Sequence, residues 1–528
     1  MKRIDFNKDW EFQWGEPSNI PMMPAQKVKV DLPYDFMIGK DVSRDAAGGS
    51  GTGFYEGGTG SYTKMLEITE EECDRIHILS FDGCFGNTKV VVNGHMAFRH
   101  HYGYTPFEVE LDRFLHVGSN RITVTAGNTN EPNSRWYSGA GLYRKVSLLT
   151  GEKVHIVPNG IYTYTKEIEG SALQVVETTV KNETESEKSV KLKVEIVEKK
   201  TGDVIAETVD FFVIEKKSCE VSHVEVRIEN PLFWNVDTPN LYLAKVTVEE
   251  AEHPEMCDSD NVQFGIRKIC VDAKNGFVIN DKPMKLKGGC IHHDNGIVGA
   301  AAFRDSEYRK VMLHKKAGFN ALRLAHNPAS KELLNACDEI GMLVIEEAFD
   351  VWNMEKDYYD FSNYFEHEWE TELSQMILRD RNHPCIFMWS IGNELPEQGG
   401  LSNGYETSEK LAAFTKKTDP TRYVGGALCS FFRGLDDTDN EKYWKSVMEN
   451  AAAMRENGMV NLDCEFGQQI WDSYTAPFVK DWDIVGYNYL QYQYEPSHAA
   501  HPERVICCTE SKPREFGSYW ADVERLPY

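Results

Sequence analysis

The sequence predicts a multidomain chain: a β-sandwich, a second, immunoglobulin-like β-sandwich, and a (β/α)8 TIM barrel whose strands run out before the eighth. Three observations predict it. A length of 528 residues exceeds what one hydrophobic core serves. From Met1 to about Ile266 the chain is a series of short strands separated by Gly and Asn turns. After Arg267, apolar strands alternate with amphipathic stretches of helical length, the pattern of βα units around a parallel sheet.

The elements follow in order. In residues 1–152 the strands are SYTKMLEI, RIHILSFDG, TKVVVNG and RITVTAGN, at the spacing of a sandwich. In residues 153–266 they are VVETTVKN, KLKVEIVEKKTGDVIAETVDFFVI, VSHVEVRI and NPLFWNVDTPNLYLAKVTV, and a length of about a hundred residues fits an immunoglobulin-like sandwich. In residues 267–528 the strands are MKLKGGC, NALRLAH, MLVIEEAF, CIFMWSI, RYVGGAL, DIVGYNYL and VICCTE. Between them SEYRKVMLHKKAG, with Leu313 and Lys316-Ala317 around its apolar face, SKELLNACDEIG, ending on Gly341, and EHEWETELSQMILRDR read as helices. Because no further strand follows Glu510 before the final LPY, an incomplete barrel is expected, as in a fragment of a longer enzyme. Its first and last strands would keep unpaired backbone groups unless something covers the gap.

Composition bounds the partners. The 83 acidic residues exceed the 57 basic ones and leave a net charge of -26, which argues against nucleic acid or an anionic membrane surface. MKRIDFNKDWEF lacks an apolar core and no window reaches the ~18 apolar residues of a membrane helix, so a cytoplasmic location is expected. The 12 cysteines form no CxxC pair, and Cys507-Cys508 point to opposite faces of one strand; reduced core residues are expected.

The chemistry lies at the strand ends. In a parallel barrel the catalytic groups come from the C-terminal strand ends, which surround one pocket. CIFMWSI runs into Asn393-Glu394 on the fourth strand, and RVICCTE ends on Glu510 on the seventh. Strands four and seven face each other across the mouth, so the two carboxylates can approach. A separation of about 5 to 5.5 Å suits a retaining glycosidase, in which one carboxylate attacks the sugar while the other, holding a proton, protonates the departing oxygen. Different surroundings must enforce that split. Arg323, ending the second strand, is placed to stabilise the ionised partner.

These residues resemble glycoside hydrolase family 2, the β-galactosidase and β-glucuronidase family, and the resemblance covers the whole chain. DRNHPCIFMWSIGNE is similar to the family's acid/base segment, and RVICCTE to its nucleophile segment. FDGCFGNTKVVVNG, HYGYTPF and SRWYSGAGLYR resemble a sugar-binding jelly roll, and NPLFWNVDTPNLY the close of the middle sandwich. KGGCIHHDNG, ALRLAHNPAS and VIEEAFDVW resemble the first three barrel strands. The resemblance implies Glu394 as acid/base, Glu510 as nucleophile, and Asn393 on the sugar 2-hydroxyl. It further implies His292 and His326 as hydroxyl or leaving-group contacts, Arg323 beside the nucleophile and Tyr489 hydrogen-bonded to it. Asp350 and Trp352 would line the pocket.

The implied activity is a retaining exo-β-glycosidase acting on terminal β-galactosides, with β-glucuronidase or another β-glycosidase of the same family as the alternative. A carbohydrate is the expected partner, and association of copies is expected because large members usually associate. No cofactor is expected. Some members bind magnesium through a Glu-x-His pair after the third strand, where this chain has AFDVWN, so no metal site is carried over. Two rivals stand beside this reading. A metal-dependent hydrolase would use His292, His293, Asp294 and His326, but adjacent residues of a strand point to opposite sides. A non-catalytic carbohydrate-binding fragment is the other, raised by the absent strand.

Overall fold

The computed structural model describes residues 1–17, 26–430 and 465–528, with a few positions between 438 and 449. The first unit is two antiparallel sheets, one of four strands and one of six. Alternation builds it: in Asn87–Val92 every second side chain is buried. The inward residues, among them Trp10, Phe12, Tyr62, Leu79, Phe81, Val90 and Val124, form one core. The second unit is a seven-stranded sandwich with sheets of three and four strands. The long run KLKVEIVEKKTGDVIAETVDFFVI resolves into a hairpin, Lys188–Glu198 and Val204–Ile214, whose turn contains Gly202 at φ 81°.

The third unit is a parallel sheet of seven strands: β1 Gly288–Ile291, β2 Ala321–Leu324, β3 Leu343–Glu347, β4 Ile386–Asn393, β5 Tyr423–Leu428, β6 Ile484–Asn488 and β7 Ile506–Glu510. Helices α1 Arg304–Lys316, α2 Lys331–Ile340 and α3 Ser362–Asp380 link the first four. Ser330 caps α2 by accepting from the Leu333 amide, and Gly341 at φ 82° ends it, as the run SKELLNACDEIG requires. One detail of α1 is corrected: it buries Glu307 and Val311, whereas Leu313 is 48% exposed. The helix has no continuous apolar stripe, and its packing against α2 decides which side is covered.

The seven strands curl until β1 and β7 nearly meet. No ladder joins them among the described residues; the Cys290 thiol donates to the Thr509 carbonyl at 3.2 Å across the seam. A cavity of about 670 Å³ runs along this seam, between Leu286 and Ile506, from Phe277 at the floor to Glu510 at the mouth. The floor is a small antiparallel sheet, Ile269–Asp272, Gly276–Ile279 and Lys282–Pro283, whose Phe277 meets Phe387 of β4 edge to face at 5.0 Å. Among the described residues no helix is long and apolar enough to cross a membrane. Eleven cysteines are free; Cys73, Cys219, Cys257, Cys270 and Cys290 are exposed, not core, and Cys464 lies outside the described residues.

Candidate active site

The site is built around Arg323, which ends one residue before the close of β2 and is 4% exposed. Its guanidinium donates to both oxygens of Glu347 at 2.7 to 3.1 Å, to Glu510 Oε1 at 2.7 Å and to Asn393 Oδ1 at 2.8 Å. One buried cation therefore joins the ends of β2, β3, β4 and β7. A charge taken this far from water persists only when paired and hydrogen-bonded on every side, and here it is.

Glu510 receives two more donors' influence. The Tyr489 hydroxyl donates to its Oε2 at 2.5 Å, and His326 Nε2 lies 3.6 Å from Oε1. Burial pushes its carboxyl up, but Arg323, His326 and the tyrosine outweigh burial and hold it below the ordinary glutamate value. Tyr489 pays with the opposite shift, its hydroxyl raised well above the usual range by burial and by Glu510.

Glu394 is 8% exposed and sits in a left-handed backbone conformation, φ 46°, just past β4. Its amide donates to the Ala427 carbonyl at 2.8 Å, and Asn488 Nδ2 donates to its Oε1 at 3.1 Å. Tyr489 is left-handed too, at φ 59°, with its amide on the Glu510 carbonyl at 2.9 Å. Non-glycine residues pay for such backbone and hold it only where the surroundings over-determine it. The buried Asn488 spans both carboxylate neighbourhoods: it donates to Asn393 and Glu394 and accepts from Thr509, the residue before Glu510.

The first sandwich supplies one wall. Trp136 stacks on His292 with centroids 5.3 Å apart and planes at 12°, and meets His326 edge-on at 5.5 Å. His292 Nδ1 donates to the Ala325 carbonyl at 2.7 Å, which fixes the ring. Burial, then His326, lowers the His292 pKa. His293 turns the other way, its Nε2 on the Ser138 carbonyl at 2.9 Å, and burial depresses it to about 3. Arg135 enters beside Trp136 and forks onto Asp350, Nε to Oδ2 at 2.9 Å and Nη2 to Oδ1 at 2.6 Å.

Models of glycosyl hydrolases family 2 match residues 29–492 in three collinear pieces: the sugar-binding domain at 29–152, the family 2 domain at 154–267 and the TIM barrel domain at 271–492, which stops before Glu510. The chain belongs to glycoside hydrolase family 2. It is similar to the β-galactosidase BoGH2A of Bacteroides ovatus, 31% identical over 97% of this chain and 59% of that protein. It is also similar to a β-glucuronidase of Bacteroides fragilis, 26% identical over 79% of this chain and 60% of that one. A solved family 2 member from Bacteroides cellulosilyticus superposes with a TM-score of 0.88 at 33% identity, covering all of this chain and 64% of that structure. The chain thus spans about three fifths of these family 2 relatives.

Within the family 2 barrel the structure brings Glu394, Glu510, Asn393, Arg323, His326 and Tyr489 into one hydrogen-bonded group, with His292 at its edge. Asp350 joins from beneath, its two oxygens engaged by Arg135, Lys356 and Asn393. Trp352 is a correction. It is fully buried, packs on Phe365 and Phe478, and donates its indole N–H to the Ile391 carbonyl at 2.9 Å, so it lies behind β4 and not in the pocket. A buried indole needs an acceptor, and the backbone of β4 provides one.

Sequence reasoning missed Glu347, Ser390, Asn488, Lys356, Arg135 and Trp136. Glu347 had a readable signal: in Glu346-Glu347 strand alternation sends one side chain to the lumen and the other to the helices. Ser390, Lys356 and Asn488 are barrel residues whose partners come from other strands, and Arg135 and Trp136 depend on how the first sandwich docks on the barrel. Among the described residues Asp338, His383 and Cys385 place donor atoms within 4.8 Å of one another. That carboxylate already accepts from His383, Gln263 and the Cys385 amide, so the cluster ties α2 to the start of β4, the end away from Glu394.

Proposed function

We propose that this chain carries the catalytic apparatus of a retaining exo-β-glycosidase whose glycone is a terminal β-galactoside. Glu510 attacks the anomeric carbon and displaces the aglycone oxygen, which takes the proton of Glu394. Glu394 then removes a proton from water as that water releases the sugar from Glu510. The observation that carries the reading is the state of Glu510: a half-buried carboxylate held ionised by Arg323 while its other oxygen is oriented by Tyr489. An ionised, positioned carboxylate is what a covalent nucleophile needs. Glu394, beside Asn393 on the facing strand, supplies the proton.

The charge balance supports a neutral sugar over a uronate. The cations of the mouth are engaged by protein carboxylates: Arg323 with Glu347 and Glu510, Arg135 and Lys356 with Asp350. A substrate carboxylate entering here would lie among Glu347, Glu510, Asp350 and Glu394, beside cations that already have carboxylate partners. The name of the B. fragilis relative keeps a glucuronide as the second reading. A panel of nitrophenyl glycosides decides between them: β-galactoside turnover lost in Glu510→Gln is expected. A 2-fluoro slow substrate should label Glu510; labelling of another residue, or faster glucuronide than galactoside turnover, would overturn the respective part.

A further inference from the structure

We propose that Arg135, delivered into the barrel mouth by the first sandwich, is a positioning residue for recognition of the glycone 2-hydroxyl: it fixes Asp350, and Asp350 fixes the amide of Asn393. This rests on the glycosidase reading above and assigns part of its substrate recognition to a domain outside the barrel.

The chain of contacts is continuous. Arg135 grips both oxygens of Asp350 with two parallel N–H bonds, the geometry that restrains a carboxylate in orientation as well as place. Asp350 Oδ1 then accepts from Asn393 Nδ2 at 2.9 Å. On its other side the amide oxygen of Asn393 accepts from Arg323 at 2.8 Å and from Asn488 at 3.1 Å. Turning the amide over would put its NH₂ against two donors and its oxygen against a carboxylate, so only one orientation is satisfied. That orientation decides what Asn393 shows a sugar hydroxyl. Both Asp350 and Asn393 are buried, at 8% and 0% exposure, so a loosened pair has no water to fall back on.

Arg135 is itself aimed from a rigid base. Asp35, buried, accepts from the amides of Ala140 at 3.1 Å and Ala300 at 2.9 Å and from the Tyr137 hydroxyl at 2.6 Å. One carboxylate of the first sandwich thereby ties the loop that follows Arg135 to the barrel loop after β1. Close approach is built in: a Cβ on Gly139 would stand 2.6 Å from Asp35 Oδ2 and 2.5 Å from Ala300 Cβ. Lys356 reaches the same Asp350 oxygen at 3.0 Å, but as a point charge from a single nitrogen it neutralises without orienting.

The test is a substrate comparison that a general loss of fold cannot imitate. Wild type, Arg135→Met and Arg135→Lys are titrated by ligand-observed NMR with methyl β-galactoside and its 2-deoxy analogue, and their thermal transitions are recorded. Losing an oriented, charge-assisted contact is expected to weaken the 2-hydroxy ligand about tenfold in Arg135→Met, with Arg135→Lys between it and wild type. Affinity for the 2-deoxy analogue should change less than twofold. Equal weakening for both ligands, or none for either, would overturn the proposal. Should Arg135→Met fail to fold, Arg135→Lys and Asp350→Asn carry the same comparison. Wild-type turnover of nitrophenyl β-galactoside is assayed separately, so an inert wild type counts against the hydrolase reading while the binding contrast still decides the role of Arg135. If only glucuronides bind, the matching glucuronide pair replaces the galactosides.

Discussion

Replacing Glu347 by glutamine is the most informative single perturbation of the barrel. The carboxylate is fully buried and accepts from Arg323 three times, from His326 and from Ser390 Oγ. Burial would push its carboxyl up, yet Arg323 and His326 hold it down, so it carries its charge. Glutamine keeps the shape, removes that charge and turns an NH₂ toward donors. Breaking one side of a buried pair costs about 3 to 5 kcal/mol, and because Arg323 keeps its ion pair with Glu510 the lower end, about 3 kcal/mol, applies. Taking the barrel as the cooperative unit at about 2 to 4 °C per kcal/mol, the transition should fall by about 6 °C or more. Arg323 would then lean on Glu510, tightening its grip on that carboxylate and, on the proposed mechanism, lowering kcat with little change in KM. Scanning calorimetry and steady-state kinetics on a nitrophenyl glycoside read both effects. A variant that melts within 2 °C of wild type and keeps its kcat would show that Arg323 does not depend on Glu347, and the hub described above would be wrong.

Three further outcomes are expected. The Glu510 carboxyl is lowered from 4.5, so the stabilisation it contributes is fully present above that pH and is lost as pH falls through the lowered value; the acid limb of kcat/KM should lie below pH 4.5 and move upward in Arg323→Met, and a limb unmoved by that change would separate the two residues. Tyr489→Phe removes the hydroxyl on Glu510 Oε2 and should cost about 1.5 to 3 kcal/mol of transition-state stabilisation, roughly ten- to a hundredfold in kcat, with the melting transition unchanged. Trp352→Ala should lower stability by about 3 to 5 kcal/mol, as truncation of a buried indole does, and leave KM unaltered; a large KM effect with little loss of stability would return Trp352 to the pocket.

The sequence by itself determined where the reacting groups could be. Strands read as apolar runs because both faces of a parallel sheet are covered, and β4 is buried along its whole length. A carboxylate at the end of such a run has one address, the C-terminal rim, and Glu394 and Glu510 took theirs from local pattern alone. The same holds for α2, whose two ends are set by Ser330 and Gly341. What the tertiary structure decided are the partners. Arg135 meets Asp350 across 215 residues, and Arg323 meets Glu510 across 187. Trp352, two positions from Asp350, was expected beside it and instead points behind β4, since a loop has no fixed period from which to read direction. Local sequence encodes strand, face and terminus through short-range sterics and alternation. Which distant charge neutralises which depends on how two sandwiches and a barrel dock, and that is fixed by the packing of whole surfaces.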